Sequence, residues 1–126
     1  MSPRHQLGDL QLAIMRLLWN RGEASATEVH AALLEERGLA LTTIKTMLRK
    51  MDEKGVVSHR ADGRTFIYSA TVAEADVKDG MVGYLVQRMF AGDGAELVHH
   101  LIETGEIDAA ELDGLRDRLS KEKVGQ

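Results

Sequence analysis

Three features of the sequence predict a mainly α chain with one small β-hairpin. The first is TTIKTMLRKMDEK, residues 42–54. Its 3.6-residue period puts Ile44, Met47, Leu48 and Met51 on one side and Thr42, Lys45, Thr46, Arg49 and Glu53 on the other. The second follows it directly: Gly55 fits a helix terminator, and VVSHRA and RTFIYSA flank Asp62-Gly63, a strand–turn–strand signal. The third is that amphipathic helical stretches fill the rest of the chain, two before residue 42 and three after residue 71, with no further strand signal. Three helices and then a hairpin is the order of a winged helix, a helix-turn-helix variant whose hairpin is the wing. The expected organisation is a winged helix-turn-helix domain over residues 1–71 and a helical dimerisation domain over 72–126.

The first helix is expected over residues 9–20, capped by Asp9, with Leu10, Ile14, Leu17 and Leu18 on one face. Leu12, Met15 and Trp19 form a second apolar stripe opposite, so this helix needs two things to pack against. Asn20-Arg21-Gly22 breaks it. Ser25-Ala26-Thr27-Glu28 has the spacing of a capping box and opens a short second helix with Val29, Ala32 and Leu33 as core, ended by Gly38. Ala40 is a poor cap for the third helix and Thr42 a better one. In the second strand Phe66, Tyr68 and Ala70 alternate with Ile67 and Ser69, so one aromatic face can close the core.

Thr71 and Glu74 have capping-box spacing for a helix to about Phe90, with Val82, Leu85, Val86 and Met89 as its apolar side. Gly80 and Gly83 weaken its middle by roughly 1 kcal/mol each relative to Ala. Ala91-Gly92-Asp93-Gly94 is a break. A helix with Leu97, Val98, Leu101 and Ile102 follows, stopped by Thr104-Gly105. Asp108 with Glu111 caps the last, where Ile107 and Leu112 stand in staple positions and Leu115 and Leu119 continue the stripe. About 54 residues of helix without a sheet make a small core alone. Leu85, Val86, Met89, Leu97, Leu101, Leu112 and Leu115 are therefore the expected dimer core.

Charge sorts the functions. Residues 45–64 carry a net +3, while the whole chain stands at −4. Cut after residue 72, the halves are +2 and −6, which suggests that the first meets a polyanion and the second meets protein or solvent. A basic island in an acidic chain is the footprint of a nucleic-acid contact. No stretch is long and apolar enough to span a membrane, and MSPRHQLGDLQ has no signal-peptide core, so a cytoplasmic location is expected. With no cysteine there is no disulfide, thiolate metal site or cysteine nucleophile.

No catalytic constellation stands out, and no enzyme is expected. Ser25 and Ser58 lack acid–base partners at a recognisable spacing, and Gly92-x-Gly94 lacks the strand and fingerprint of a phosphate loop. His99 and Glu103 share a helix face, but two ligands make no metal site and a solvated pair is the simpler reading. The six methionines fall at core spacing or at the start, where packing explains them. No cofactor is expected.

LQLAIMRLLWNRGEASATEVHAALLEERG, TTIKTMLRKMDEKG, GRTFIYSA and FAGDGAELVHHLIETGEIDAAELDGL together resemble the penicillinase repressor family (BlaI, MecI and CopY type) from about Leu7 to Leu119. The most specific pieces are Met15 with Trp19, Thr43-Ile44-Lys45-Thr46, the stretch from Lys54-Gly55 through Gly63-Arg64 to Tyr68, and Leu97-Val98. The resemblance implies an N-terminal winged-helix DNA-binding domain, a helical dimerisation domain and repression at an inverted repeat. Departures accompany it. Leu12 and Leu39 stand where the family usually has Trp, and His100-Leu101 stands where antibiotic-responsive members have the Asn-Phe bond that a sensor protease cuts. The cysteine motif of the copper-responsive members has no counterpart.

The reading is a homodimeric, sequence-specific DNA-binding regulator, a repressor acting on a double-stranded inverted-repeat operator. Thr42, Thr43, Lys45, Thr46, Arg49 and Lys50 would serve the major groove, and Arg60 and Arg64 on the wing the backbone or the minor groove. The alternative is a winged-helix protein–protein adaptor that never touches DNA, since a fold does not fix a function. An effector of unknown identity, if there is one, is expected to act through the helical domain or a hinge near Ala70 to Val72.

Overall fold

The computed structural model describes residues 7–124, with side chains through Glu122. Met1 and the rest of MSPRHQ lie outside the described residues, so most of the segment read for a signal-peptide core does too. The chain divides into two compact units, one through Val82 and the other from Gly83. Among the described residues no helix is long and apolar enough to cross a membrane.

In the first unit, α1 (Asp9–Arg21) starts where the sequence suggests and runs one residue further, but its cap differs. Gly8 is the cap and Asp9 the first helical residue, where a carboxylate favours the helix dipole. Gln11 Oε1 accepts the Gly8 N–H at 3.3 Å. Both expected stripes of this helix are used. Ile14 and Leu18 are buried from the first and Met15 from the second, while Leu12, Leu17 and Trp19 pack half-buried against the same core.

The capping box forms as expected. Ser25 Oγ accepts from Glu28 N at 3.2 Å, and Ser25 N donates to Glu28 Oε1 at 2.9 Å. It opens α2 (Ala26–Arg37), which buries Val29 and Leu33; Ala32, expected inside, is exposed. Helix α3 (Leu41–Lys54) is capped by Ala40 through backbone alone, not by Thr42. Leu41 therefore occupies the first helical position, and Thr42 is left on the outer face. Ile44, Leu48 and Met51 are buried and Met47 half-buried, while the cations and threonines of the outer face are exposed.

Gly55 ends α3 at φ +87, a left-handed position that costs a glycine little. The hairpin is β2 (Val57–Asp62) with β3 (Thr65–Ala70), in the register Val57↔Ala70 to Asp62↔Thr65. Its two-residue loop is thus Gly63-Arg64, one residue later than Asp62-Gly63. Gly63 has φ +63, as a two-residue turn with glycine at its first central position requires. A third strand, β1 (Ala24–Ser25), pairs with β3 to give the sheet order β1-β3-β2. Sequence reading missed it because two residues carry no measurable alternation. Tyr68 is buried, but Phe66, expected beside it in the core, is 51% exposed. The strand has run past the core by that point.

Helix α4 (Glu74–Met89) follows without the expected Thr71–Glu74 box. Thr71 is engaged elsewhere: its N–H donates to Val56 O at 3.0 Å and its hydroxyl to Gly55 O at 2.5 Å. Next to it, Trp19 Nε1 donates to Val72 O at 2.9 Å. The stretch expected as a hinge at Ala70 to Val72 is thus tied to the end of α3 and to α1. Val77 of α4 is buried in the same core, a position the sequence reading passed over.

The second unit holds the end of α4, α5 (Gly94–Glu103) and α6 (Ala109–Val124). Asp93 Oδ1 caps α5 by accepting from Glu96 N at 3.1 Å, and Asp108 caps α6 by accepting from Glu111 N at 2.8 Å. Ile107 and Leu112 line one small cleft with Ile102, as a staple would place them. None of the described side chains from Gly83 on is buried. Val86, Leu97, Leu101 and Leu112 are half-buried; Leu85 and Leu115 are exposed, and Met89 is 71% exposed.

Trp19→Phe keeps an aromatic ring against the core but removes the N–H with part of the indole, leaving the part-buried Val72 carbonyl without this donor. It should destabilise the full chain by about 1 kcal/mol. Urea denaturation followed by circular dichroism at one protein concentration checks this, and an unchanged midpoint would show that the bond contributes nothing.

Candidate nucleic-acid interface

The outer face of α3 is the natural starting point, because three buried residues on its inner face fix which way it turns. Lys45 and Arg49 point to the wing side. There they line a solvent-open cleft of about 410 Å³ with Arg64, Thr65, Phe66 and Tyr68 of the wing and Ala26 and Thr27 of α2. Thr42, Thr43, Thr46 and Lys50 line a shallower depression of about 280 Å³ on the other flank, with Met47. The fold therefore brings together Lys45, Arg49 and Arg64, three cations from two elements with 18 residues between the first and last.

Arg60 is placed differently. Strand residues alternate faces, so Arg60, opposite Ile67, lies on the other side of the hairpin from His59, opposite Tyr68. Its guanidinium donates to Glu23 through Nη2 at 2.8 Å and Nε at 3.4 Å. The hydrogen bond and the charge of Arg60 hold the Glu23 carboxyl below its ordinary value, and Glu23 in turn raises Arg60. Arg60 does not join the cleft that Lys45, Arg49 and Arg64 line.

Three features of the site were not foreseen. His59 Nδ1 is hydrogen-bonded to Asp52 Oδ2, linking the wing to α3, and its ring stacks 4.4 Å from Phe66 and 5.7 Å from Tyr68. Burial, and then the negative charge of Asp52, push the Tyr68 phenol up. His30 Nε2 is 2.9 Å from the Leu39 carbonyl, bracing the turn between α2 and α3. Only the short spacing of Asp52 and His59 across the helix stop could have hinted at the first, and no periodicity reports it.

Comparison with known proteins agrees with this architecture. The model of the family described as "Penicillinase repressor" matches residues 7–121. The chain belongs to the penicillinase repressor family. Among relatives, the transcriptional regulator BlaI of Mycobacterium tuberculosis is 33% identical over 127 residues, covering 99% of this chain and 91% of that protein. The penicillinase repressor of Bacillus licheniformis is 25% identical over 118 residues, covering 94% and 92%. The solved DNA-binding domain of the repressor BlaI superposes with a TM-score of 0.53 at 30% identity, over 60% of this chain and 93% of that one. The B. licheniformis BlaI monomer in complex with the blaP half-operator gives 0.50 at 30% identity, over 60% and 90%. The family's winged-helix domain is thus the fold that carries the cleft.

His99 Nε2 and Glu103 Oε1, of the two side chains considered as metal ligands, lie 3.0 Å apart in an exposed contact in the second unit. No group of three or more metal-ligating side chains gathers among the described residues.

The Glu23–Arg60 pair gives a pH expectation. A carboxyl depressed in the folded state contributes above its unfolded value of 4.5, and the contribution is lost as the pH falls through the depressed value. Arg60→Ala should bring the Glu23 midpoint back up toward 4.5. A side-chain carboxyl NMR titration of both proteins checks it, and an identical midpoint would mean that the pair does not form in solution.

Proposed function

We propose that this chain is a DNA-binding transcriptional repressor that acts as a homodimer on an inverted-repeat operator. The observation that carries the reading is the convergence of Lys45, Arg49 and Arg64 on one open cleft between α3 and the wing, in a chain whose net charge is −4. Cations gathered against the global charge fit a polyanion, and a helix with cations and hydroxyls outward fits a major groove. The BlaI relative solved on its half-operator supports the same reading.

In this proposal residues 42–54 enter the groove. Arg49 is the base reader and Lys45 its neighbour one turn earlier. Thr42, Thr43, Thr46 and Lys50 line the other flank, against sugar and phosphate. Arg64, at the hairpin tip, meets the phosphate backbone or the minor groove. Arg60 acts from the wing base, where Glu23 engages it. The domain boundary near residues 71–72 is part of the reading, with the helical segment as the dimerisation domain.

Burial supports dimerisation. Seven large apolar side chains, Leu85, Val86, Met89, Leu97, Leu101, Leu112 and Leu115, are half-buried or exposed in one copy. Each is worth ~1.5 to 3 kcal/mol when removed from water, and a second copy offers the same stripes.

Two experiments test this. Arg49→Ala should cost ~1 to 3 kcal/mol per half-site on the operator and much less on scrambled DNA. Arg64→Ala should weaken both alike and reduce the slope of log K against log salt by about 0.9 for each phosphate no longer neutralised. Titrations on both duplexes at two salt concentrations decide, and equal losses on the two DNAs for Arg49→Ala would reject the base-reading role. For assembly, Met89→Lys with Leu115→Glu changes side chains already exposed in a single copy, so it should leave the helices intact and convert a dimer to a monomer. Light scattering at micromolar concentration reads this; a monomeric unsubstituted chain, or a variant that stays dimeric, would sink the proposed interface.

A further inference from the structure

Asp52 is a carboxylate on the helix that the proposed function offers to a polyanion, where its charge alone can only oppose binding. Its side chain is engaged by His59, at a telling place in the sheet. β1 pairs with β3 at Ala24↔Tyr68 and Ser25↔Ile67, and Tyr68 and Ile67 pair on their other side with His59 and Arg60 of β2. From Ala61↔Phe66 outward the wing is only two strands wide, and residues 58–66 are all exposed. A bare two-stranded hairpin is marginal in water, and at roughly 3.3 Å per residue the tip projects on the order of 10 Å beyond this rung. The direction of the tip is therefore set where the third strand ends.

At that rung two successive residues, on opposite faces, are each held by a carboxylate: His59 by Asp52 of α3, and Arg60 by Glu23 from the turn before β1. The Phe66 and Tyr68 rings flank the imidazole and limit its freedom to turn away from Asp52. Arg64 lines the cleft with Lys45 and Arg49 while projecting from the far end of this arm. We infer that Asp52, acting through His59, is a positioning residue for DNA binding: it fixes the wing against α3 so that Arg64 reaches the backbone when the helix lies in the groove. Asp52 touches no DNA in this arrangement. Its negative charge is accepted because the strut it makes is worth more to binding than the repulsion it adds.

This inference rests on the proposed function, and its test separates the two. It also reverses the sign that charge alone predicts. Removing a carboxylate beside DNA strengthens binding if electrostatics is all that matters; Asp52→Asn should weaken it if the wing is mispositioned. The probe is a mixed-sequence duplex, because a wing–phosphate contact needs no particular operator. With the full chain, the slope of log K against log salt should become shallower by about 0.9 for each phosphate that Arg64 no longer reaches, hence about 1.8 for a dimer. In an Arg64→Ala background the same substitution should produce no further change in slope. His59→Gln should reproduce the defect of Asp52→Asn, with circular dichroism showing the helices retained in both. Tighter or unchanged binding by Asp52→Asn overturns the inference, as does a loss that persists in full without Arg64. Failure of the unsubstituted protein to bind any duplex overturns the proposed function itself, and the inference with it.

Discussion

Burial of Ile44, Leu48 and Met51 is the constraint on which the rest of the first unit depends. Those three side chains are inaccessible to water and fix the rotation of α3 about its own axis. Because the helix repeats every 3.6 residues, fixing one face fixes the other. Lys45 and Arg49 are turned to the wing, and Thr42, Thr43 and Lys50 to the opposite flank, by a hydrophobic choice made on the far side of the helix. Polar substitution of Leu48 would thus disturb the proposed DNA contacts, which it never approaches.

The periodic parts of this fold were legible in the sequence. α3, the Ser25–Glu28 box, the stop at Gly55 and the Asp108–Glu111 cap of α6 are local devices, set by residues close together in the chain. What was not legible depends on partners distant in the chain. β1 is a strand only because Tyr68 and Ile67 lie beside it. Thr71 fails to cap α4 because Gly55 and Val56 offer their carbonyls to it instead, a tertiary bond that outcompetes a local one. Phe66 alternates correctly for the core and is exposed because alternation gives the face of a strand but not where the core ends. The same limit applies to the site: the outer face of α3 was readable residue by residue, whereas the diversion of Arg60 to Glu23 needs the register of the sheet.

The two units solve the problem of apolar surface differently. The first has a core in which side chains from α1, α2, α3, the sheet and the start of α4 are inaccessible or nearly so. The second has helices with well-formed caps and apolar stripes, yet no described side chain in it is buried. Capping stabilises helix ends by about 1 kcal/mol each; it does not remove leucines from water. The local structure of this segment is complete and its hydrophobic burial is not, which is what the proposed dimer would supply. The charge division agrees, since the first half, at +2, carries the basic island and the second, at −6, has no polyanion to attract.

The family's departures can be placed on this framework. Leu12 and Leu39, standing where the family usually has tryptophan, are half-buried against the core rather than enclosed in it. Leu39 is held in position through its carbonyl by His30, a bond indifferent to the size of its side chain. His100-Leu101, at the position of the family's cleavage bond, lies in the last turn of α5. There the Leu101 carbonyl accepts from Glu106 N at 2.9 Å, Ile107 N at 3.2 Å and the Thr104 hydroxyl at 3.3 Å. A protease acting there must first open that hydrogen-bonded turn, and the residues flanking the bond no longer match the Asn-Phe pair. In the proposed function the pairing of the helical segments and the set of the wing are the two arrangements on which the DNA contacts depend, and neither requires that turn to open.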